Sequence, residues 1–295
     1  MSWFKTPGAL LALLLVTGPS FAQGGSGMNS AGVGRDWALI LSTSKDEESY
    51  ENLFASFNLA LLDETWISLT AGRSRAPSTE QDVRANLIEL GIDHNFGPVG
   101  IGFSAERWGD ANNLESSDRQ VEIFFAGDRY RLALVREDRD IDIYFSGAGA
   151  PILTDLRRVG IDADAVGLNW RYRFAPNWQT YGSWMDYDYP RGVRLLPRID
   201  RLNLLSTSAV TLAHSFIEQY QTVGLERSLG LKLINFDYSQ DRSSIDGERL
   251  KSIGASILWP VAPRMDLEFR IGNSRASGFG STTYGGLTLL IYGGG

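Results

Sequence analysis

The sequence contains no cysteine, so no disulfide can stabilise the fold, and it has only two histidines, His94 and His214. After the first 22 residues no stretch offers ~18 uninterrupted apolar residues, which excludes a membrane-spanning helix in the rest of the chain. Basic residues are outnumbered by acidic ones, with a formal net charge of −7. Since phosphate binding needs a basic face, nucleic acid is not an expected partner.

The first 22 residues have the three-part pattern of a cleaved signal peptide. Lys5 precedes an apolar run at positions 9–16, helix-breaking Gly18 follows, and the small residues Ser20 and Ala22 form the cleavage site. The apolar run is too short to cross a bilayer as a helix. Residues 23–34 are rich in glycine and serine, which predicts a flexible periplasmic lead-in.

Apolar and polar residues alternate along almost all the remaining chain, as residues 264–274 illustrate. Met265, Leu267, Phe269 and Ile271 fall on one side and Asp266, Glu268 and Arg270 on the other. A period of two places alternate side chains on opposite faces of a strand. About fourteen such segments follow one another (twelve is the alternative), and short polar turns alternate with longer polar connections.

This pattern predicts an all-β fold, a transmembrane antiparallel up-and-down β-barrel over residues 35–292 with a glycine tail at 293–295. The chain resembles the outer-membrane β-barrel proteins of Gram-negative bacteria, and the resemblance covers nearly the whole mature chain. Barrels of this class end on an aromatic residue, and here Tyr292 is followed by three glycines. The resemblance implies an outer-membrane location, periplasmic termini, and contact with lipids, lipopolysaccharide and the barrel-assembly machinery.

Polar and charged residues that face away from the apolar side are predicted to line the lumen, because a charge facing lipid at the midplane costs ~2–4 kcal/mol. The predicted lining comprises Glu89, Asp93, Glu106, Glu122, Arg131, Asn169, Arg171, Arg173, Asn235, Asp237, Asp266, Glu268 and Arg270. Two interpretations remain open. These charges form a polar pore whose acidic excess favours cations, or they pair across a narrow lumen and close it.

Long connections at residues 139–161 and 190–215 are the expected gating segments. Arginines crowd the second of them, which predicts a constriction or a contact with lipopolysaccharide phosphates; they are Arg191, Arg194, Arg198 and Arg201. Acidic clusters at residues 45–48, 138–142, 162–164 and 186–188 raise the hypothesis of Ca²⁺ binding, against the simpler interpretation of solvated charge. No metal-ligand spacing or cofactor motif is found.

Candidate catalytic residues are few. His94 shares the parity of Ile88 and Ile92 and is expected to face lipid near one interface. His214, beside Ser215, supports at most the hypothesis of an outer-membrane hydrolase. Most aromatic residues near strand ends are expected to form interface girdles; the set comprises Trp66, Trp108, Trp178, Tyr181, Trp184, Tyr187, Tyr189 and Trp259. Trp184 and Tyr189 are also candidates for a sugar path.

The leading functional hypothesis is a porin-like channel for passive diffusion of small polar solutes, and not an enzyme. The alternative is a non-conducting barrel with a structural, adhesive or assembly role.

Overall fold

The structure is a computed structural model, and it describes residues 36–47, 49–76, 83–110, 114–144, 158–189, 216–244, 247–276 and 281–294. These ranges contain fourteen β-strands. No helix in these ranges is long and apolar enough to cross a membrane.

The strands are β1 (Trp37–Asp46), β2 (Glu51–Leu62), β3 (Thr65–Ala76), β4 (Val83–Phe96), β5 (Val99–Asp110), β6 (Leu114–Ala126), β7 (Tyr130–Tyr144), β8 (Arg158–Ala175), β9 (Trp178–Asp188), β10 (Ile217–Leu229), β11 (Lys232–Ser243), β12 (Arg249–Ala262), β13 (Met265–Ala276) and β14 (Ser281–Gly293).

The strands form one closed barrel in which each strand pairs with its sequence neighbours and β1 closes against β14. All pairings are antiparallel; Trp37 is opposite Gly293 and Asp46 is opposite Tyr284 in the closing pair. Closure leaves no free sheet edge, so every strand satisfies its backbone hydrogen bonds within the wall. The predicted all-β up-and-down barrel is confirmed, with fourteen strands rather than twelve.

The two ends of the barrel differ, and we call them the turn end and the loop end. At the turn end, strands are joined by connections of two or three residues, such as Gly97–Pro98 between β4 and β5. Gly97 adopts a φ of 75° and Gly230 a φ of 64°, a left-handed conformation that glycine adopts without steric cost. At the loop end the connections range from three residues between β5 and β6 to 28 residues between β9 and β10, and all gaps between the described ranges lie there.

The outer face carries a continuous apolar belt. Its side chains are large and exposed, with Leu53 at 63 %, Leu90 at 57 % and Ile271 at 62 % exposure. Exposed apolar surface on this scale is not compatible with a monomer in water. The belt therefore needs an apolar surrounding, which a bilayer supplies to a barrel wall.

Several strands are longer than the sequence indicated, and four of them illustrate this. β1 continues to Asp46 because residues 43–45 pair with both β2 and β14 and Asp46 pairs with Tyr284 on β14. β7 continues to Tyr144 and β8 begins at Arg158, so residues expected in a connection lie in strands that pair to their ends. β14 includes Gly293, the first residue of the expected glycine tail. A Cβ there would contact the indole of Trp37 at 2.5 Å, so the close approach requires glycine.

Candidate solute path inside the barrel

The inner face of the wall contains all thirteen residues that the sequence predicted to line the lumen. Each lies on the side opposite the apolar belt, as strand parity and burial show; Glu89, for example, alternates with exposed Ile88 and Leu90. The placement satisfies the rule that charges avoid lipid. Their role in conduction stays a prediction. The inner face itself has two distinct halves, one toward each end of the barrel.

A cavity of about 550 Å³ lies at the turn end of the lumen, and we call it the vestibule. Trp66 on β3 and Asp93 on β4 line one side, and Arg131 on β7 with Arg171 and Arg173 on β8 line the other. The volume is within the range of small-molecule binding sites, ~300–1,000 Å³. The vestibule is thus large enough for a small organic solute with some of its water.

Ion pairs hold part of the vestibule wall. Arg131 forms an ion pair with Glu122 and lies over the ring of Phe124, 4.2 Å from guanidinium carbon to ring centroid. On the next strands Gln179 donates a hydrogen bond of 2.6 Å to Glu226. Glu226 also lies in the field of both Arg171 and Arg173. Two guanidinium groups therefore share one carboxylate.

A smaller cavity of about 30 Å³ adjoins the vestibule. It shares Asp93 and Arg131 with the vestibule and is lined further by Glu89, Gln120 and Asn169. Such a volume accommodates roughly one or two water molecules. Its lining adds the carboxylates of Glu89 and Glu122 to the two shared residues.

A second ion pair lies on the opposite wall. Both carboxylate oxygens of Asp237 on β11 accept hydrogen bonds from one nitrogen of Arg270 on β13, at 2.8 and 2.7 Å. Beside it, the hydroxyl of Tyr181 donates to Asn235 at 2.9 Å. Both of the open interpretations thus have support, since some lumen charges are paired and others line open volume.

We call the half of the lumen nearer the loop end the loop half, and the other half the turn half. Arg139 is the central charged residue of the loop half. Its guanidinium lies 2.9 Å from Asp118 and 2.9 Å from Glu137, and its carbon lies 4.5 Å above the ring of Tyr187. The hydroxyl of Tyr187 donates to Glu137 at 3.1 Å, and Glu106 adds a further carboxylate whose charge acts on the same group. One arginine thus compensates several carboxylates in a largely buried site.

An apolar cluster covers the inner wall nearest the loop end. It is formed by Leu114, Ile141, Ile143, Ile161 and Phe216, all less than 9 % exposed, with Trp108, Val159 and Tyr189 packed against them. Burial raises the pKa of the Tyr189 phenol to about 12, so the group stays neutral. This part of the lumen is dry and apolar rather than hydrated.

Inner aromatic rings lie across neighbouring glycines. Phe54 lies over Gly72, Phe124 over Gly100, Tyr181 over Gly224 and Tyr284 over Gly272, and in each case a Cβ on the glycine would overlap the ring. Rings that lie flat on a neighbouring strand occupy less of the lumen than rings that project inward. The glycines therefore give these rings room against the wall.

Several sequence predictions for aromatic residues are wrong. Trp66 and Trp108 were expected in interface girdles, but both lie on the inner face, one in the vestibule and one in the apolar cluster. Of the two sugar-path candidates, Tyr189 packs in the apolar cluster. Trp184 is opposite Leu168 on the outer face, so it cannot contact a solute in the lumen.

The acidic residues of β7 to β9 lie in strands rather than in connections. Asp138 on β7, Asp164 on β8 and Asp188 on β9 are opposite one another in register, on the outer face toward the loop end. Arg136 lies 3.1 Å from Asp164. Within the described ranges no three acidic or histidine side chains are grouped as a metal site requires.

His94 lies where the sequence placed it, on the outer face near the turn end. Its ring shares a hydrogen bond of 2.8 Å with Thr65 and packs edge-on against Phe96, with ring centroids 4.3 Å apart. Residues outside the described ranges include the four arginines Arg191, Arg194, Arg198 and Arg201, together with His214, Ser215 and the predicted signal peptide.

Four charged residues face the lumen although the sequence did not predict them there: Asp118, Glu137, Arg139 and Glu226. Around Arg139 the outward positions are Asp138 and Asp140, so both faces are polar and the apolar/polar alternation is lost. Apolar and polar residues alternate again at Ile141 and Ile143, but there the apolar side chains face the lumen instead of the lipid. That reversal was the available signal for a strand that continues above the apolar belt.

No protein-family model matches this chain, and its sequence matches no curated protein. Among solved structures, a monoaromatic hydrocarbon channel, CymD, is similar with a TM-score of 0.57, 7 % identity, and coverage of 96 % of this chain and 94 % of that one. The P. putida toluene transporter TodX is similar with a TM-score of 0.52, 10 % identity, and coverage of 92 % and 93 %. The fold is that of an outer-membrane β-barrel.

Proposed function

We propose that this protein is an outer-membrane channel through which small polar solutes diffuse passively. The observation that carries the proposal is the vestibule, a cavity of about 550 Å³ lined by charged side chains inside a closed barrel. A barrel of about eight strands is filled by its own side chains, whereas about sixteen strands leave an aqueous channel. Fourteen strands provide the room that the vestibule occupies.

The chemistry of the inner wall favours polar solutes. Arginines and carboxylates follow one another along the path from the vestibule to Arg139, and a solute that passes them must exchange hydrogen bonds with them. The two similar structures are named for hydrocarbon solutes, and the apolar cluster would suit such a molecule. However, that cluster lines only one part of the wall, so polar contacts dominate the path.

A non-conducting barrel is the second candidate, and shielding of the loop half favours it. Inner side chains there are almost inaccessible to water, with Asn52 at 2 %, Ser252 at 1 % and Thr282 at 3 % exposure. If that shielding is permanent, the vestibule is a blind cavity and the protein has a structural or adhesive role. If it is transient, the same residues form the restriction of a gated pore.

The proposal includes a setting in the bacterial outer membrane, with the turn end and both termini toward the periplasm. Short turns on one side and longer connections on the other are typical of barrels inserted in this orientation. Lipids would contact the apolar belt, and the barrel-assembly machinery would insert the chain. Lipopolysaccharide is proposed to contact Arg191, Arg194, Arg198 and Arg201. The proposed channel function needs no catalytic step.

Planar-bilayer recording of the purified, refolded protein tests the channel. We expect discrete, reproducible current steps in potassium chloride and, because acidic residues outnumber arginines on the inner face, a mild preference for potassium over chloride. An equally folded sample that produces no steps at any voltage would support the non-conducting barrel. Heat-modifiable migration on a gel confirms folding before each recording.

A further inference from the structure

The β7–β8 wall of the vestibule carries a surplus of positive charge. Arg131 and Arg171 are directly opposite each other on adjacent strands, and Arg173 follows two residues later on the same face. Glu122 pairs with Arg131, while Glu226 lies in the field of Arg171 and Arg173 and accepts a hydrogen bond from Gln179. On this wall three guanidinium groups therefore stand near two carboxylates, and Arg129 in the β6–β7 turn adds a fourth guanidinium group to the lining of the cavity.

An aromatic surface lies on the other side of the same cavity. Trp66 projects inward from β3, next to Asp93 on β4. The strands of Trp66 and Arg173 are five apart, an arc of about 24 Å at ~4.8 Å a strand. The indole and the guanidinium groups thus lie on opposite sides of the cavity. A ligand between them would meet a ring face on one side and a cation on the other.

We propose that the vestibule binds a small organic anion that combines one carboxylate with a planar aromatic ring. Its carboxylate pairs with Arg173 and Arg171, because guanidinium groups match carboxylate geometry. Its ring packs against Trp66, which offers the larger apolar surface. The inference deepens the proposed channel by naming a solute class, and it rests on that function only for its use in the cell.

The same cavity disfavours other anions. Asp93 and Asp128 also line it, so a multiply charged anion such as a phosphate ester would meet repulsion that a monocarboxylate largely avoids. A carboxylate without a ring would leave Trp66 without a partner. The aromatic monocarboxylate is therefore the class that both sides of the vestibule accept.

Calorimetric titration of the whole refolded protein in detergent with benzoate tests the site. We expect saturable binding of benzoate and at least tenfold weaker binding of its neutral counterpart benzamide and of acetate. Arg173→Gln removes the surplus charge but leaves both carboxylates partnered, and it should weaken benzoate binding about tenfold. Trp66→Leu should weaken benzoate binding while leaving acetate unchanged.

Matched variants on the outer wall serve as controls. Arg275→Gln alters an exposed arginine on the outer face, and Trp259→Leu alters an indole on the apolar belt, so both should bind benzoate like the unaltered protein. Equal binding of benzoate and benzamide, or unchanged affinity in Arg173→Gln, would overturn the proposal. Because the titration needs no current, benzoate binding without bilayer conductance would remove the channel function and leave this site standing.

Discussion

The two halves of the lumen differ in charge, in access to water and in packing, although one continuous wall forms both. The turn half encloses the arginine-lined vestibule of about 550 Å³. Among the described residues, the inner face of the loop half holds one arginine, Arg139, against Asp118 and Glu137, with an apolar cluster beyond it. Strand number sets the width of a barrel, but the comparison shows that side chains decide where the lumen is open.

The difference also explains where stability and function are concentrated. In the loop half, carboxylates and apolar side chains are packed out of water, so each polar contact there must be satisfied by another protein group. In the turn half, cavity volume beside the charges lets water or a solute take that role. We therefore expect mutations in the loop half to affect folding and those in the turn half to affect solutes.

The largest expected change is a loss of unfolding free energy when Arg139 is replaced. Arg139→Leu leaves Asp118 and Glu137 without their cation in a buried site, and loss of one partner of such a group costs ~3–5 kcal/mol. Arg131→Leu in the turn half leaves only Glu122, which borders a cavity, so we expect ~1–2 kcal/mol. Urea unfolding in lipid vesicles, followed by tryptophan fluorescence, measures both free energies.

Arg136→Leu is the matched control for this pair of variants, because Arg136 is an exposed arginine on the same strand as Arg139. Its unfolding free energy should change little, as is usual for surface ion pairs. A loss for Arg131→Leu that equals or exceeds the loss for Arg139→Leu would contradict the distinction between the two halves.

A smaller effect is expected from charge reversal in the vestibule. Arg173→Glu replaces the surplus positive charge with a negative one at the turn-end mouth, so the preference for potassium over chloride should rise about twofold at low salt and less at high salt. The reversal potential across a bilayer with a potassium chloride gradient measures this ratio. Arg275→Glu on the outer face should leave it unchanged, and an equal shift for both variants would place the selectivity outside the vestibule.

Much of the wall could be predicted from the sequence because lipid imposes a strict rule on it. Leu90 and Ile92 must face the bilayer, and their neighbours Glu89 and Asp93 then face the lumen. The number of segments that obey this rule also gives the strand number. Where both faces are polar, as around Arg139, the rule no longer applies, and the strand was taken for a connection.

Side-chain contacts between strands could not be predicted for a different reason. The pairing of Arg270 with Asp237 joins strands β13 and β11, and it depends on stagger between strands that period-two patterns do not specify. The vestibule likewise depends on β3, β4 and β8 meeting at one height. Aromatic positions failed for the same reason, since Trp66 near a strand end reads as a girdle residue until its face is known.

Labelling of single cysteines tests the account most directly, because the natural chain contains none. A small charged thiol reagent added to the protein in lipid vesicles should modify Arg173→Cys in the vestibule quickly. It should modify Ser252→Cys in the loop half far more slowly, and Leu90→Cys on the apolar belt not at all. Rapid modification of Leu90→Cys with an unreactive Arg173→Cys would contradict the placement of lumen and lipid faces on which every proposal depends.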